Sequence, residues 1–140
     1  MCSPGFCAIS ENKYILSFTA SDSIYIYKKA NCLKSISVKS KYDDMNFTPF
    51  NLNRIMDQKY IIHYLTCQQS YAPIIFNQYK KHYYRAFKKQ NKYFTDNNRK
   101  IETDNIDWSI IILNEQFEII NEIEINPKNY PFIPIGNIIP

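Results

Sequence analysis

Glycine is almost missing from this chain: 140 residues hold two, Gly5 and Gly136, with 130 residues between them that hold none. A P-loop and a dinucleotide-binding fingerprint each need several glycines to bring backbone against phosphate, so both classes of nucleotide-binding enzyme are excluded. Tight turns are expected to use Asn or Asp, which tolerate left-handed backbone at modest cost, or to give way to a longer loop. Cysteine is sparse and unpatterned. Cys2, Cys7, Cys32 and Cys67 form no CxxC and show no metal spacing. Buried free thiols are the expectation, with one disulfide in an oxidising compartment as the alternative. No apolar run approaches the roughly 18 residues that span a bilayer. No basic-then-apolar leader precedes Cys2 either, so the chain is expected not to be exported as written, or to start elsewhere.

What the chain does hold is aromatic rings and short alternating runs. Tyrosine occurs 12 times and phenylalanine nine times, beside a single tryptophan. Tyr14–Thr19, Ser23–Lys28 and Cys32–Lys39 alternate with period two and are separated by Ala20-Ser21-Asp22 and Lys29-Ala30-Asn31, which predicts a three-strand meander. Residues 41–58 keep neither period and contain Pro49, so they read as a connection with at most one helical turn. Strands are then predicted at Lys59–Cys67, Ala72–Asn77 and His82–Lys88, and in a hairpin of Trp108–Leu113 with Phe117–Ile125. Pro73 belongs at a strand start or an edge. Residues 89–106 are polar and read as an excursion loop, and the tail from 127 to 140 is Pro-rich and extended. The chain is therefore expected to be one all-β domain of antiparallel meanders without a secure helix: one strand group at about 8–40, a second at about 59–126. Groups of about four short strands are the mark of propeller blades, which sandwiches and barrels partly share.

Charge divides sharply along the second group. Residues 78–100 carry eight Lys/Arg against Asp96, and residues 101–126 carry seven Asp/Glu and no base. The basic–aromatic half has the composition of a single-strand nucleic-acid surface, with cations for phosphates and rings for bases. The acidic half that follows cancels it, and a net charge of +4 assembled from opposed blocks is better explained by pairing within the chain. That balance disfavours nucleic acid or another polyanion as the partner. Arg85 is expected to pair with a carboxylate from the acidic half.

No nucleophile–base or paired-carboxylate spacing stands out. A strand over 59–67 would set His63 and Cys67 about 13 Å apart, too far to share a metal ion. His82 and Tyr84 share one strand face, Tyr83 and Arg85 the other. The candidate ligand-contacting residues are Tyr83, Tyr84, Arg85 and Trp108, with Lys80 and Lys81 in the adjoining loop. Aromatic rings at such spacing suit a sugar-stacking platform, although packing between sheets uses the same pattern. No catalytic residue, metal ligand or cofactor is indicated.

The segments SFTASDSIYIY, VKSKYDD, HYYRAFK and WSIIILNEQFEIINEIEI, in that order, resemble the C-terminal part of a gut-bacterial family of exported lipoproteins of unknown function. The resemblance runs over about residues 8–135. It implies six-bladed β-propellers of the TolB/NHL-like kind and, for the parent protein, a place at the cell envelope. Such a propeller needs well over twice this length, and the family's signal and lipid-anchored cysteine are not found here. The chain then corresponds to about two blades from the end of a longer protein, and its uncovered edges predict self-association in isolation. The function expected is that of a non-enzymatic binding or scaffold module with a protein or glycan ligand. The alternatives are a glycan-active or other small β-rich enzyme completed by further blades, and a basic–aromatic surface for a polyanion.

Overall fold

The computed structural model describes residues 4–44, 48–90 and 105–131, and within these the chain is built from two antiparallel sheets. The first is a four-strand meander of β1 (Pro4–Ser10), β2 (Lys13–Phe18), β3 (Ser23–Lys28) and β4 (Asn31–Ser37), paired in chain order. The second is four strands wide. The short β5 (Ser70–Tyr71) and β6 (Ile75–Asn77) share one side of β7 (His82–Lys88), followed by β8 (Trp108–Leu113) and β9 (Ile119–Ile125). The all-β expectation is met. β1 lies outside the predicted meander, because a run containing Pro4 and Gly5 carries little β signal of its own.

Alternation sets the packing. Ile15, Ile24 and Ile26 are buried on one face of the first sheet, and Tyr83, Phe87, Ile111 and Leu113 on the facing side of the second. These residues, with Tyr71, Ile74, Val38 and Phe117, form one continuous core. Gly5, on β1, lies directly against Pro73, between β5 and β6. A Cβ there would lie 2.5 Å from Pro73 Cβ and 2.9 Å from its Cα, so this position admits no side chain unless the backbone shifts. The core also contains Ser17, 1 % exposed, whose Oγ has no hydrogen-bond partner among the described residues. An unsatisfied buried hydroxyl costs about 1–3 kcal/mol. Ser17→Ala is therefore expected to raise unfolding stability by about 1 kcal/mol, measured as a higher urea midpoint at unchanged slope.

The turns work differently from the expectation. Among the described residues, the non-glycine positions with left-handed backbone are Lys29 (φ 54°), Lys81 (φ 55°) and Phe117 (φ 66°), none of them Asn or Asp. Asn serves instead through its side chain: Asn77 Oδ1 accepts from the amides of Tyr79 and Lys80, and Asn114 Oδ1 from those of Gln116 and Glu118. Left-handed backbone costs a side-chain-bearing residue about 1–2 kcal/mol, part of which glycine returns through its looser unfolded chain. Lys29→Gly is expected to stabilise by about 0.5–1 kcal/mol, read from the same denaturation curves.

The principal correction concerns residues 59–67. Gln58–Cys67 is an α-helix, α1, where a strand was expected, so the chain does contain a helix. Tyr, Ile and Thr give the segment a strand-like composition, but its ends decide the outcome. Asp57 caps the start, its Oδ1 accepting from Tyr60 N at 3.0 Å, and Lys88 Nζ donates to the carbonyls of Leu65 (2.6 Å) and Thr66 (3.1 Å) at the other end. Phe50 packs on Tyr60 and Tyr64 with ring centroids 5.3 and 5.1 Å apart. A turn of 3-10 helix, Leu52–Arg54, fits the helical turn allowed for in the connection. The excursion-loop residues 91–104 and the tail residues 132–140 lie outside the described residues.

Candidate functional site

Arg85 occupies the junction of the two sheets and is fully buried. β7 aims it across the core at the β2–β3 turn, where the chain reverses and three carbonyls converge on it. The guanidinium donates to four backbone oxygens: Nε to Ala72 (3.2 Å), Nη1 to Asp22 (2.5 Å), and Nη2 to Phe18 (3.1 Å) and Ser21 (2.8 Å). It also lies 4.4 Å from the centre of the Tyr71 ring. Burial pushes its pKa down to about 10, which leaves it charged at neutral pH. The expected carboxylate partner from the acidic half is not among these acceptors. Planar donors meeting several carbonyls at once suit arginine and no other cation, and here they tie the turn of one sheet to a strand of the other.

The other predicted residues scatter. Tyr83 is buried in the core and stacks on Phe76 and Phe117. Trp108, half-buried, donates Nε1–H to Tyr130 O at 2.9 Å. Tyr84, on the opposite face from Tyr83, lines an open cleft. Lys80 is exposed in the β6–β7 turn, and Lys81 beside it places Nζ 6.0 Å from the Phe76 ring centre. Tyr84 thus lies on the outer face of the second sheet and Lys80 and Lys81 in the turn beside it, while Tyr83 and Arg85 turn inward. Helical geometry brings His63 and Cys67 onto one side of α1, which overturns the distance argument made for a strand. No group of three or more His, Cys, Asp or Glu side chains able to hold a metal forms among the described residues. Cys7 and Cys67 are free and half-buried, with pKa values raised by burial, and Cys32 is free and exposed rather than buried.

Two concavities stand beside this framework. The larger, about 600 Å3, opens between edge strand β1 and the β6–β7 turn and is lined by Phe6, Ile75, Phe76, Tyr79 and Tyr84 with the amides Asn77 and Gln78. Tyr79 is 87 % exposed, and its turn is fixed by Asn77 Oδ1, so an apolar ring is held out to solvent on a rigid support. The smaller, about 210 Å3, is polar and lies against the β2–β3 turn, lined by Ser21, Asp22, Asp43, Gln69, Ser70 and Tyr71. There the Tyr71 hydroxyl accepts from Ser40 N (3.1 Å) and donates to Asp43 Oδ2 (2.6 Å), while Gln69 Nε2 donates to Asp43 Oδ1 (3.0 Å). Burial first and this hydrogen bond second raise the Tyr71 pKa well above that of free tyrosine. Neither cleft was legible beforehand, because each is lined by segments far apart in sequence.

Among the described cations of the basic block, two are buried, Lys80 and Lys81 are exposed and Lys89 lies between. Arg85 and Lys88 are buried, and Lys88 is brought to about 8 by desolvation. Lys89 forms an ion pair with Glu124 and lies 3.8 Å from the Tyr42 ring centre. That hydrogen bond lowers the Glu124 pKa, so pairing between the basic and acidic halves is realised at this position. Glu122, also from the acidic half, accepts from Ser40 Oγ, Ser109 Oγ and Lys41 N, fastening the connection after β4 to the second sheet.

No curated protein matches the chain. Among solved structures it is similar to the crystal structure of a family member from Bacteroides vulgatus, at 23 % identity and a TM-score of 0.69, over 89 % of this chain and 34 % of that one. The chain thus spans about a third of the length of that relative. A family model described as "Domain of unknown function (DUF4221)" matches residues 3–124, and the chain belongs to that family.

Proposed function

We propose that this domain is a non-enzymatic binding module, two blades of a β-propeller whose parent protein acts at the cell envelope, and that its ligand is a glycan. The observation that carries the reading is the aromatic cleft between β1 and the β6–β7 turn, with Tyr79 held outward on a rigid turn beside Phe6, Phe76 and Tyr84. Amphipathic rings next to amide side chains suit stacking on sugar faces with hydrogen bonds to their hydroxyls. The two four-wide meanders packed face to face support the blade reading. Arg85, the strongest buried cation, has its donors committed to backbone carbonyls, which favours a structural role over a chemical one. The burial of Arg85 and Lys88, and the pairing of Lys89 with Glu124, further weaken the polyanion alternative.

Titration of soluble oligosaccharides into the protein, followed by calorimetry and by chemical shifts of the tyrosine rings, tests this. Binding that falls at least tenfold in Tyr79→Ala and Tyr84→Ala, with unfolding midpoints unchanged, is the expected result. Glycan binding indifferent to both substitutions would overturn the site, and a failure of any glycan to bind would overturn the ligand class.

A further inference from the structure

The turn that forms one wall of the aromatic cleft is basic as well as aromatic. It runs Tyr79, Lys80, Lys81, with His82 opening β7. Asn77 Oδ1 accepts from the amides of Tyr79 and Lys80, both at 3.0 Å, so the turn closes around that side chain. Lys81 follows with left-handed backbone, φ 55°, which fixes the direction in which its side chain leaves the turn. Its Nζ stands 6.0 Å from the centre of the Phe76 ring, a wall of the cleft. On the outer face of β7, the His82 ring centre lies 6.4 Å from that of Tyr84, another wall. Charge at this place has one sign. No Asp or Glu lines the cleft. Among the described residues the ion pairs are Arg54–Asp57 and Lys89–Glu124, and neither Lys80 nor Lys81 enters one. Of the described cations of the basic block, these two alone are exposed.

We propose that the sugar taken by this cleft is an acidic one, a uronate or a sulfated hexose. Lys80 and Lys81 meet its carboxylate or sulfate, while Tyr79 and Tyr84 cover its apolar faces. Rings stack on many sugars and choose poorly among them. Ammonium groups choose, because a lysine hydrogen bond to an ionised acceptor is roughly twice as strong as one to a neutral hydroxyl. Charges at the rim of a site also draw an oppositely charged ligand to it and make its capture sensitive to salt. Two lysines at one end of a cleft suit a ligand with one or two acidic groups. A polyanion needs a longer stripe of cations, and the residues that could extend this one, Arg85, Lys88 and Lys89, are buried or paired. The inference rests on the glycan reading of the cleft made above.

Calorimetric titration of the 140-residue chain with three oligosaccharides of matched length, a neutral hexose, a hexuronate and an O-sulfated hexose, tests this. At least one acidic form should bind about tenfold tighter than the neutral one, by a margin that shrinks as salt is raised. Which acid gains more tells carboxylate from sulfate. Lys80→Gln and Lys81→Gln should each weaken the acidic ligand about threefold and the double variant about tenfold, the range of exposed charge pairs. Neutral binding and unfolding midpoints should stay unchanged in all three. Lys34→Gln removes a cation that stands over Phe117, outside the cleft, and should leave the preference intact. Acidic and neutral ligands bound equally would overturn the inference and leave the glycan reading standing. So would a preference that survives the double variant, or one that falls as far in Lys34→Gln. If no sugar of either kind binds, the glycan reading falls and this inference falls with it.

Discussion

Arg85→Ala is expected to destabilise the protein by about 2–5 kcal/mol, from the volume it vacates in the core and the charged hydrogen bonds it removes. The substitution removes a charged donor from the carbonyls of Phe18, Ser21, Asp22 and Ala72, of which Phe18 and Asp22 keep the amides of Ser21 and Val38. It also strips the Tyr71 ring of its cation. Arg85→Met keeps most of the volume and none of the donors, so it should recover only the packing part of the loss. Arg85→Lys should fall between them, because an ammonium cannot span four acceptors arranged around a planar fork. Urea unfolding followed by fluorescence of Trp108, the single tryptophan, measures all three. A ligand-anchoring arginine would behave in the opposite way, with stability spared and binding lost.

Stability should rise as pH increases from about 8 to 10, through Lys88. In the folded protein burial holds this lysine near 8, whereas in the unfolded chain it titrates at its ordinary value of 10.5. Between those values the unfolded chain binds the extra proton, and stability increases with pH wherever that is so. The full shift corresponds to roughly 3 kcal/mol, of which about 1–3 kcal/mol should appear between pH 7 and pH 10. Above pH 10 the trend should reverse, because the tyrosines and the raised thiols of Cys7 and Cys67 together outweigh Arg85, which burial lowers to about 10 and which favours the folded chain there. Tyr71 and Tyr83 are raised by burial, so the unfolded tyrosines ionise first and draw the equilibrium toward the unfolded chain. Denaturation midpoints at pH 7, 8.5, 10 and 11 should trace this maximum, and Lys88→Met should flatten its rising side. A midpoint that falls steadily from pH 7 would show that Lys88 titrates normally.

Local pattern carried most of the strands. Ser23–Lys28 and Trp108–Leu113 alternate cleanly, because one face of each meets the main core, and His82–Lys88 alternates as far as Arg85, after which both of its faces are buried. What escaped was set by partners distant in sequence. The segment 58–67 is a helix because Asp57 caps it and Lys88, 21 or more residues away, satisfies its last carbonyls. Its composition alone points to a strand. A signal for the helix was present in Asp57, three residues ahead of Tyr60 at the head of the run. Arg85 was correctly set on the face of Tyr83, yet its acceptors are backbone oxygens, which no residue pattern displays. Both clefts form where β1 and the β2–β3 turn meet segments more than 40 residues further along, and composition has no means of indicating such a meeting.

The account's central claim is that the two meanders form one unit, held by a shared core and by the Arg85 clamp. The most direct measurement follows unfolding with one probe in each sheet: Trp108 fluorescence for the second, and alkylation of half-buried Cys7 for the first, with the other cysteines changed to serine. Coincident transitions with a common midpoint and slope are predicted, shifted together to lower urea in Arg85→Met. Separate midpoints for the two probes, or a shift confined to one of them, would contradict the claim.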